Sequence, residues 1–424
     1  FCIIVDYTNC SMKNKFLFEM KSRGYFNQCT DLDKLDDICN KQSITAYIGF
    51  DCTASSLHVG SLLQIMILRL MQKNGHRPIV LLGGGTTLIG DPSGKDSTRK
   101  ILNQKEIKKN IENIKKVFKK ILDFSNKSTK PIFVDNYDWL SKLNYIEFLR
   151  DVGSHFTINK MLTFDSVKVR LEREQSLSYM EFNYMILQAY DFYQLFKDKN
   201  CILQIGGSDQ WGNIINGVEL IRRMIKKEAY GLTTPLITLT SGAKMGKTEK
   251  GAVWLNEELF SSYDYWQFWR NTDDKDVERF LKFFTEIKSE KVEQLIRQEK
   301  NINNLKILLA NEATKILHGE KASMKAEKTA KDTFETGGIG KDLPEIKINA
   351  DDLKKGIKIL DLLFLNNVMS SKSDARRAIK SNALKIDNVI LKDENKIIEL
   401  SDFKMKKNLK ISFGKKKHYL IKII

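Results

Sequence analysis

Over the first 260 positions the apolar residues fall into two kinds of run. Short β-rich stretches, "ITAYIGF" (44–50), "PIVLLGG" (78–84) and "CILQIGG" (201–207), are bounded by Gly or polar turns, as strands buried on both faces are. Longer segments with apolar positions at helical spacing separate or follow them. Strands alternating with helices predict an α/β fold, a doubly wound, mostly parallel, Rossmann-like sheet. In such a sheet ligands bind beyond the carboxyl ends of the strands. Here every predicted strand ends in Gly followed by polar residues: "GFDCT", "GGGTTLIGDPSGK" and "GGSDQWGN".

From about residue 259 the pattern changes to charged amphipathic helices such as "DDKDVERFLKFFTEIKSEKVEQLIRQ", with no strand signal. An α-helical domain is expected over 259–335. The stretch "TGGIGKDLPE" (336–345) breaks both periodicities and predicts a linker over 336–351. Beyond it, "ILDLLFLNNVMSSKSDARRAIKSNALKIDNVIL" predicts a helix, a polar turn, a basic helix and a short strand, hence a small α+β domain over 352–424. The α/β domain is then 12–258. Residues 1–11 lack a basic leader and a small-residue cleavage site, so Met12 is the expected natural start.

Composition narrows the function. At 424 residues the chain exceeds one ordinary domain. The most apolar segment, 62–71, is interrupted by Gln64 and Arg69, so no membrane span is expected. Six cysteines form no C-x-x-C pair, which predicts free thiols in a reducing, cytoplasmic setting. The net charge is +17, and residues 351–424 alone carry 18 Lys/Arg against 9 Asp/Glu. A polyanionic partner, nucleic acid before membrane, is the natural inference.

The glycine-rich "GGGTTLIGDPSGKDS" invites a P-loop reading, but Ile89 and Asp96 stand where that motif needs Gly and Ser or Thr. What remains is Asp91 just past a strand, facing a ligand cation or closing an Asx turn before Pro92. In "LHVGS", Gly60 removes a side chain where backbone approaches a ligand. A helix from about Gly60 offers free N–H groups and a positive dipole end to an anion, with Thr53 and His58 as added donors. "KMGKTEKGAVWL" presents Lys244, Lys247 and Thr248 between glycines. Such a loop is either solvated surface or a mobile clamp for charge that develops in a transition state. "YMILQAYD" places Tyr184, Gln188 and Asp191 on one helical face. A polar stripe on an apolar helix needs partners, a ligand or an internal network.

Taken together these segments carry a family resemblance. "HVGS" (58–61) resembles the "HIGH" signature, and "KMGKT" (244–248) the "KMSKS" signature, of class I aminoacyl-tRNA synthetases. "YIGFDCTASSLHVG", "GGGTTLIGDPSGK", "NYMILQAYDF" and "LQIGGSDQWGNI" look like bacterial-type tyrosyl-tRNA synthetase, and the match runs from about residue 12 to the C-terminus. The resemblance implies activation of L-tyrosine by ATP with Mg²⁺, transfer to tRNA(Tyr), no dedicated protein metal site, and a homodimer with 148–164 near the interface.

Residue by residue, it implies Tyr47 and Asp191 at the substrate phenol, and Asp91, Tyr184 and Gln188 at its ammonium. Gln210 would lie near the carboxylate and Asp209 at the ribose. Asp51, Thr53, His58, Gly60, Ser61, Lys95, Arg99, Lys244, Lys247 and Thr248 would meet ATP and pyrophosphate. Ser61 departs from the second His of the signature, so its nucleotide contact is expected to be weaker or water-mediated. The C-terminal segment resembles the small RNA-binding domain of ribosomal protein S-four. That implies RNA contacts at Arg376, Arg377, Lys380, Lys415, Lys416 and Lys417. Two alternatives stay open, a tryptophanyl-tRNA synthetase and a synthetase-derived RNA-binding protein without activation chemistry.

Overall fold

The computed structural model describes residues 12–91, 102–240, 242, 245–248, 251–335, 343, 345–366, 368–403, 408–414 and 417–424. Side chains at 165, 166, 247, 248, 333–335 and 417 fall outside that description. By compactness the chain forms two units. One holds the described residues up to Met245 together with Lys275–Lys300, and the other holds Gly246–Asp274 and Asn301–Ile424.

The first unit is built on six strands: β1 (Gln28–Cys29), β2 (Thr45–Asp51), β3 (Arg77–Gly83), β4 (Ile132–Asp135), β5 (Cys201–Gly207) and β6 (Tyr230–Thr234). Their order is β1-β6-β5-β2-β3-β4, all pairs parallel except β1 with β6. The three strands expected from the sequence match β2, β3 and β5 within a residue. β4 and β6 were not anticipated, being four and five residues long and so too short for a periodic signal. The chain runs outward from β2 through β3 to β4, then crosses back to place β5 on the other side of β2. Connections leave β2 and β5 in opposite directions, which opens a crevice beyond their carboxyl ends.

Among the helices of the same unit are α1 (Leu62–Lys73), α2 (Thr86–Ile89), α3 (Gln104–Ile121), α4 (Tyr179–Lys199) and α5 (Trp211–Ile225). α1 is almost wholly buried, nine of its twelve residues, as its continuous apolar run requires. α4 opens with a capping box, Ser178 with Glu181. Glu181 also pairs with buried Arg170 at 3.1 Å, which pins the start of the helix. Tyr47, Phe192, Met185 and Ile186 belong to one apolar core beneath it.

Between 259 and 335 the described elements are all helical, as expected, but compactness divides them. Lys275–Lys300, including the helix Val277–Phe284, belongs to the first unit. Phe280, Phe283 and Phe284 are buried there, and Arg23 and Tyr25 donate to the carbonyls of Lys282, Thr285 and Phe283. Periodicity reports a helix but not which neighbour buries its face.

In the second unit the segment expected as a linker contributes a strand, Glu345–Ile348. Its period-two pattern, Glu-Ile-Lys-Ile, alternates exposed and buried positions, a signal masked by the glycines before it. That strand pairs parallel with Lys417–Ile423 at the edge of a five-stranded sheet. The basic helix α6 (Lys372–Lys380) buries Ala375, Ala378 and Ile379 and leaves Arg376, Arg377 and Lys380 exposed. No helix among the described residues is long and apolar enough to cross a membrane.

Candidate active site

A cavity of about 350 Å³ opens at the carboxyl ends of β2 and β5. It is bordered by ten of the residues singled out from the sequence: Tyr47, Asp51, Gly60, Ser61, Asp91, Tyr184, Gln188, Asp191, Asp209 and Gln210. The helical stripe predicted on α4 therefore faces a cavity. Three residues on its wall, Tyr47, Gln64 and Gln204, each hold a fully buried polar oxygen with no hydrogen-bond partner. Buried polar groups are nearly always paired, so three orphans around one cavity point to a polar ligand.

At the deep end, Tyr47 is 1% exposed and its ring lies 5.4 Å from Phe192. Burial and the nearby Asp191 hold its phenol well above the ordinary tyrosine range. Asp191 accepts from Asn136 Nδ2 at 2.9 Å and from Trp139 Nε1 at 2.7 Å. Burial nevertheless raises its carboxyl to about 7, because desolvation outweighs the two donors.

Asn136, 1% exposed just after β4, also donates to Thr86 Oγ1 at 3.0 Å, while its Oδ1 accepts from Gly85 N at 2.7 Å. Thr86 in turn donates to Asp51 Oδ1 at 3.1 Å, and Tyr184 Oη lies 3.3 Å from both Asp51 oxygens. Tyr184 thus reaches Asp51, although the resemblance grouped it with Asp91.

On the opposite wall Gln210 donates to Asp91 Oδ2 at 3.1 Å. Asn213, on α5, donates to Gln210 Oε1 at 3.1 Å and to Gln188 Oε1 at 3.0 Å. Asn136, Trp139, Thr86 and Asn213 were not foreseen. The only sequence signal was spacing: Asn136 and Trp139 stand three apart after an unrecognised strand, and Asn213 stands three after Gln210.

The first signature is built differently from its expectation. His58 precedes a short 3₁₀ turn (Val59–Ser61), and α1 begins at Leu62. The Gly60 N–H is engaged, donating to His58 Nδ1 at 3.0 Å. A ring that accepts at Nδ1 carries its neutral-state proton on Nε2 and donates from there. Gly60 is demanded by the protein itself as well as by any ligand. A Cβ there would lie 2.6 Å from His58 Cε1 and 2.9 Å from the carbonyl oxygen of Met245. Met245 belongs to the second signature, so the two motifs meet at Gly60. Ser61 borders the cavity, and its side chain makes no capping bond. Thr53 is exposed and, like His58, is not part of the cavity wall.

Asp209 is exposed at the rim, where a Cβ on Gly207 would fall 2.5 Å from its Oδ1. Lys95, Arg99, Lys244, Lys415 and Lys416 lie outside the described residues. Lys247 and Thr248 form a two-residue strand paired with Gly251–Ala252, and Lys417 opens the last strand. Cys29, Cys39, Cys52 and Cys201 are free thiols. Among the described residues no group of three or more His, Cys, Asp or Glu is placed to hold a metal ion.

Comparison with known proteins agrees with this geometry. Residues 40–335 match the family model of class I tRNA synthetases (W and Y), and residues 335–421 match the tyrosine--tRNA ligase SYY-like C-terminal domain. The tyrosine--tRNA ligase of Pelagibacter ubique is 62% identical over 97% of this chain and all of its own length. The chain belongs to the tyrosine--tRNA ligase family. The enzyme of that name from Rickettsia conorii is 52% identical over 96% of this chain and all of its own. Among solved structures, a C-terminally truncated mitochondrial tyrosyl-tRNA synthetase of Aspergillus nidulans superposes with a TM-score of 0.68 at 29% identity, covering 75% of this chain and 94% of that one. The resemblance read from the motifs, and the α/β class with it, is borne out.

Proposed function

We propose that this chain activates L-tyrosine with ATP and transfers the tyrosyl group to tRNA(Tyr). The observation that carries the reading is the deep end of the cavity, where the buried Tyr47 hydroxyl has no partner and the Asp191 carboxyl lines the same wall, a setting suited to a polar group on an aromatic ring. An indole offers no phenol hydroxyl there, which disfavours tryptophan, and the complete cavity speaks against a protein that only binds RNA.

In the first step the tyrosine carboxylate attacks the α-phosphorus of ATP and pyrophosphate leaves. In the second a ribose hydroxyl at the tRNA 3′ end attacks the carbonyl of the adenylate and AMP leaves. No enzyme nucleophile is needed, so the protein acts by alignment and by stabilising charge on the transferring phosphate. Tyr47 and Asp191 take the phenol. Asp91, Tyr184 and Gln188 take the ammonium, with Gln210 beside the carboxylate. Asp51, Gly60, Ser61 and Asp209 receive the nucleotide, and His58 offers Nε2–H to the phosphates with Thr53. Lys95, Arg99, Lys244, Lys247 and Thr248 close on pyrophosphate, and Mg²⁺ accompanies ATP as part of the substrate. Arg376, Arg377, Lys380 and Lys415–Lys417 contact tRNA phosphates.

The working form is a cytoplasmic homodimer. Exposed apolar side chains concentrate in and around 148–164: Ile146 is 70% exposed, Ile158 59% and Leu162 39%. A patch of that kind on a globular chain marks an interaction surface.

The test is amino-acid-dependent ATP–pyrophosphate exchange with tyrosine, phenylalanine and tryptophan. Tyrosine alone should support exchange at micromolar to millimolar concentration. Exchange driven by tryptophan, or by none of the three, would reject the reading.

A further inference from the structure

Asn213 is 5% exposed, on the first turn of α5; it closes the segment "GGSDQWGN", but no role is legible for it there. Its one amide nitrogen feeds the oxygens of two glutamines on the cavity wall, Gln188 and Gln210. The third link is Gln210 Nε2 donating to Asp91 Oδ2.

Along these three links every orientation is forced from one end. A primary amide has two faces of similar shape, a donor NH₂ and an acceptor oxygen, and nothing in its own shape fixes which way it lies. An ionised carboxylate only accepts. Asp91 therefore draws the NH₂ of Gln210 towards itself and turns Gln210 Oε1 to Asn213. Asn213 must then present its NH₂, and that NH₂ turns Gln188 Oε1 towards α5. We infer that Asn213 is a positioning residue that transmits the polarity of Asp91 to Gln188, so that the cavity keeps an acceptor oxygen for the substrate's ammonium. Gln188 Oε1 has a second lone pair after accepting from Asn213. Were the amide reversed, it would offer N–H groups to a cation, and attraction would become repulsion.

The inference rests on the proposed tyrosine site, and its test separates the two. Asn213→Asp and Asn213→Ala remove nearly the same contacts but differ in polarity. Alanine leaves the two glutamines without a donor and free to rotate. Aspartate places an obligate acceptor against both glutamine oxygens and drives both amides to reverse, which also sets Gln210 Oε1 against the Asp91 carboxylate. In ATP–pyrophosphate exchange Asn213→Ala should raise the KM for tyrosine about 5- to 10-fold, the size of one lost hydrogen bond. Asn213→Asp, although closer in volume, should raise it on the order of 100-fold, because a buried polar contact is reversed and not merely removed. The KM for ATP should change far less than that for tyrosine in both, since none of the three side chains linked to Asn213 (Gln188, Gln210 and Asp91) is placed at the nucleotide.

A purely structural role predicts the opposite ranking, with alanine worse because it leaves the larger void, and equal losses for tyrosine and ATP. Either result overturns the inference. Should Asn213→Asp not fold, Asn213→Ser replaces it. Its hydroxyl can still donate to one glutamine, so it should lose less than alanine, and a serine variant no better than alanine is equally fatal. A parent enzyme without tyrosine-dependent exchange would instead strike down the proposed function itself.

Discussion

Asp191 is a carboxyl buried among donors, and its chemistry should be visible in two measurements. Asp191→Ala leaves Asn136 Nδ2 and Trp139 Nε1 without their acceptor and removes one partner of the phenol. The preference for tyrosine over phenylalanine, measured as kcat/KM in exchange, should fall by about 10- to 100-fold, the worth of a hydrogen bond to a charged group. Unchanged discrimination would move the selecting contact elsewhere. The second measurement is stability. Burial raises the folded pKa to about 7 from the usual 3.8, so the folded chain holds this proton more tightly than the unfolded one. The stability gained is complete below about pH 4 and is lost as pH rises through about 7. Asp191→Asn does not titrate, so relative to the parent it should gain unfolding free energy across that window. A difference that is flat from pH 4 to 7 would show that the carboxyl is not buried as described. At this scale the sequence was partly legible. Tyr184, Gln188 and Asp191 announce themselves because a helix puts i, i+4 and i+7 on one face. Asn136, Trp139 and Asn213 do not, because what they do depends on distant partners: Thr86 and Asp191 for Asn136, Asp191 for Trp139, and for Asn213 the pairing of nearby Gln210 with Gln188 from another helix.

At the scale of elements, the topology places the cavity and the glycines admit the approach of chain to chain. β2 and β5 were readable as buried apolar runs, and with them the crevice. The start of α1 was misjudged by two residues, and the difference has a physical reason: His58 captures the Gly60 N–H through its own ring nitrogen, which tightens the first turn into 3₁₀ form. Gly60→Ala tests that construction. The added methyl must displace either the His58 ring or the Met245 carbonyl, and the second is backbone. Overpacking of this sort destabilises by about 1–3 kcal/mol. Adenylate formation in a single-turnover assay should slow at least about 10-fold, with tyrosine affinity nearly unchanged, because the added methyl meets His58 and Met245, neither of which is placed at the phenol. Equal slowing and loss of tyrosine affinity would mean that the substitution damages the whole unit.

For the whole molecule, the apolar surface around 145–179 predicts assembly. Ile158→Asp puts a charge where Ile158 is 59% exposed, in the stretch that also exposes Ile146, Leu149 and Leu162. Sedimentation velocity should show the parent as a dimer and the variant as a monomer at micromolar concentration, whereas a parent that sediments as a monomer would leave the patch to another partner. Charge also reads differently at this scale. The basic excess of the C-terminal 74 residues was plain in composition, and α6 carries part of it, with apolar positions inward and arginines outward. What composition could not disclose is how the chain is shared between the two units.

The chain quits the first unit after Met245, comes back at Lys275 and departs again after Lys300. A fragment ended at residue 258, where the change of periodicity invites a cut, would be robbed of its two returning helices, Val277–Phe284 and Ser289–Gln298. The Tyr25 hydroxyl and the Arg23 guanidinium would lose their carbonyl partners, and the cover provided by Phe280, Phe283 and Phe284 would be gone. Anyone trimming this enzyme for a minimal activation module should expect aggregates from 12–258, since here the order of residues along the thread and the boundaries of what folds together are different maps.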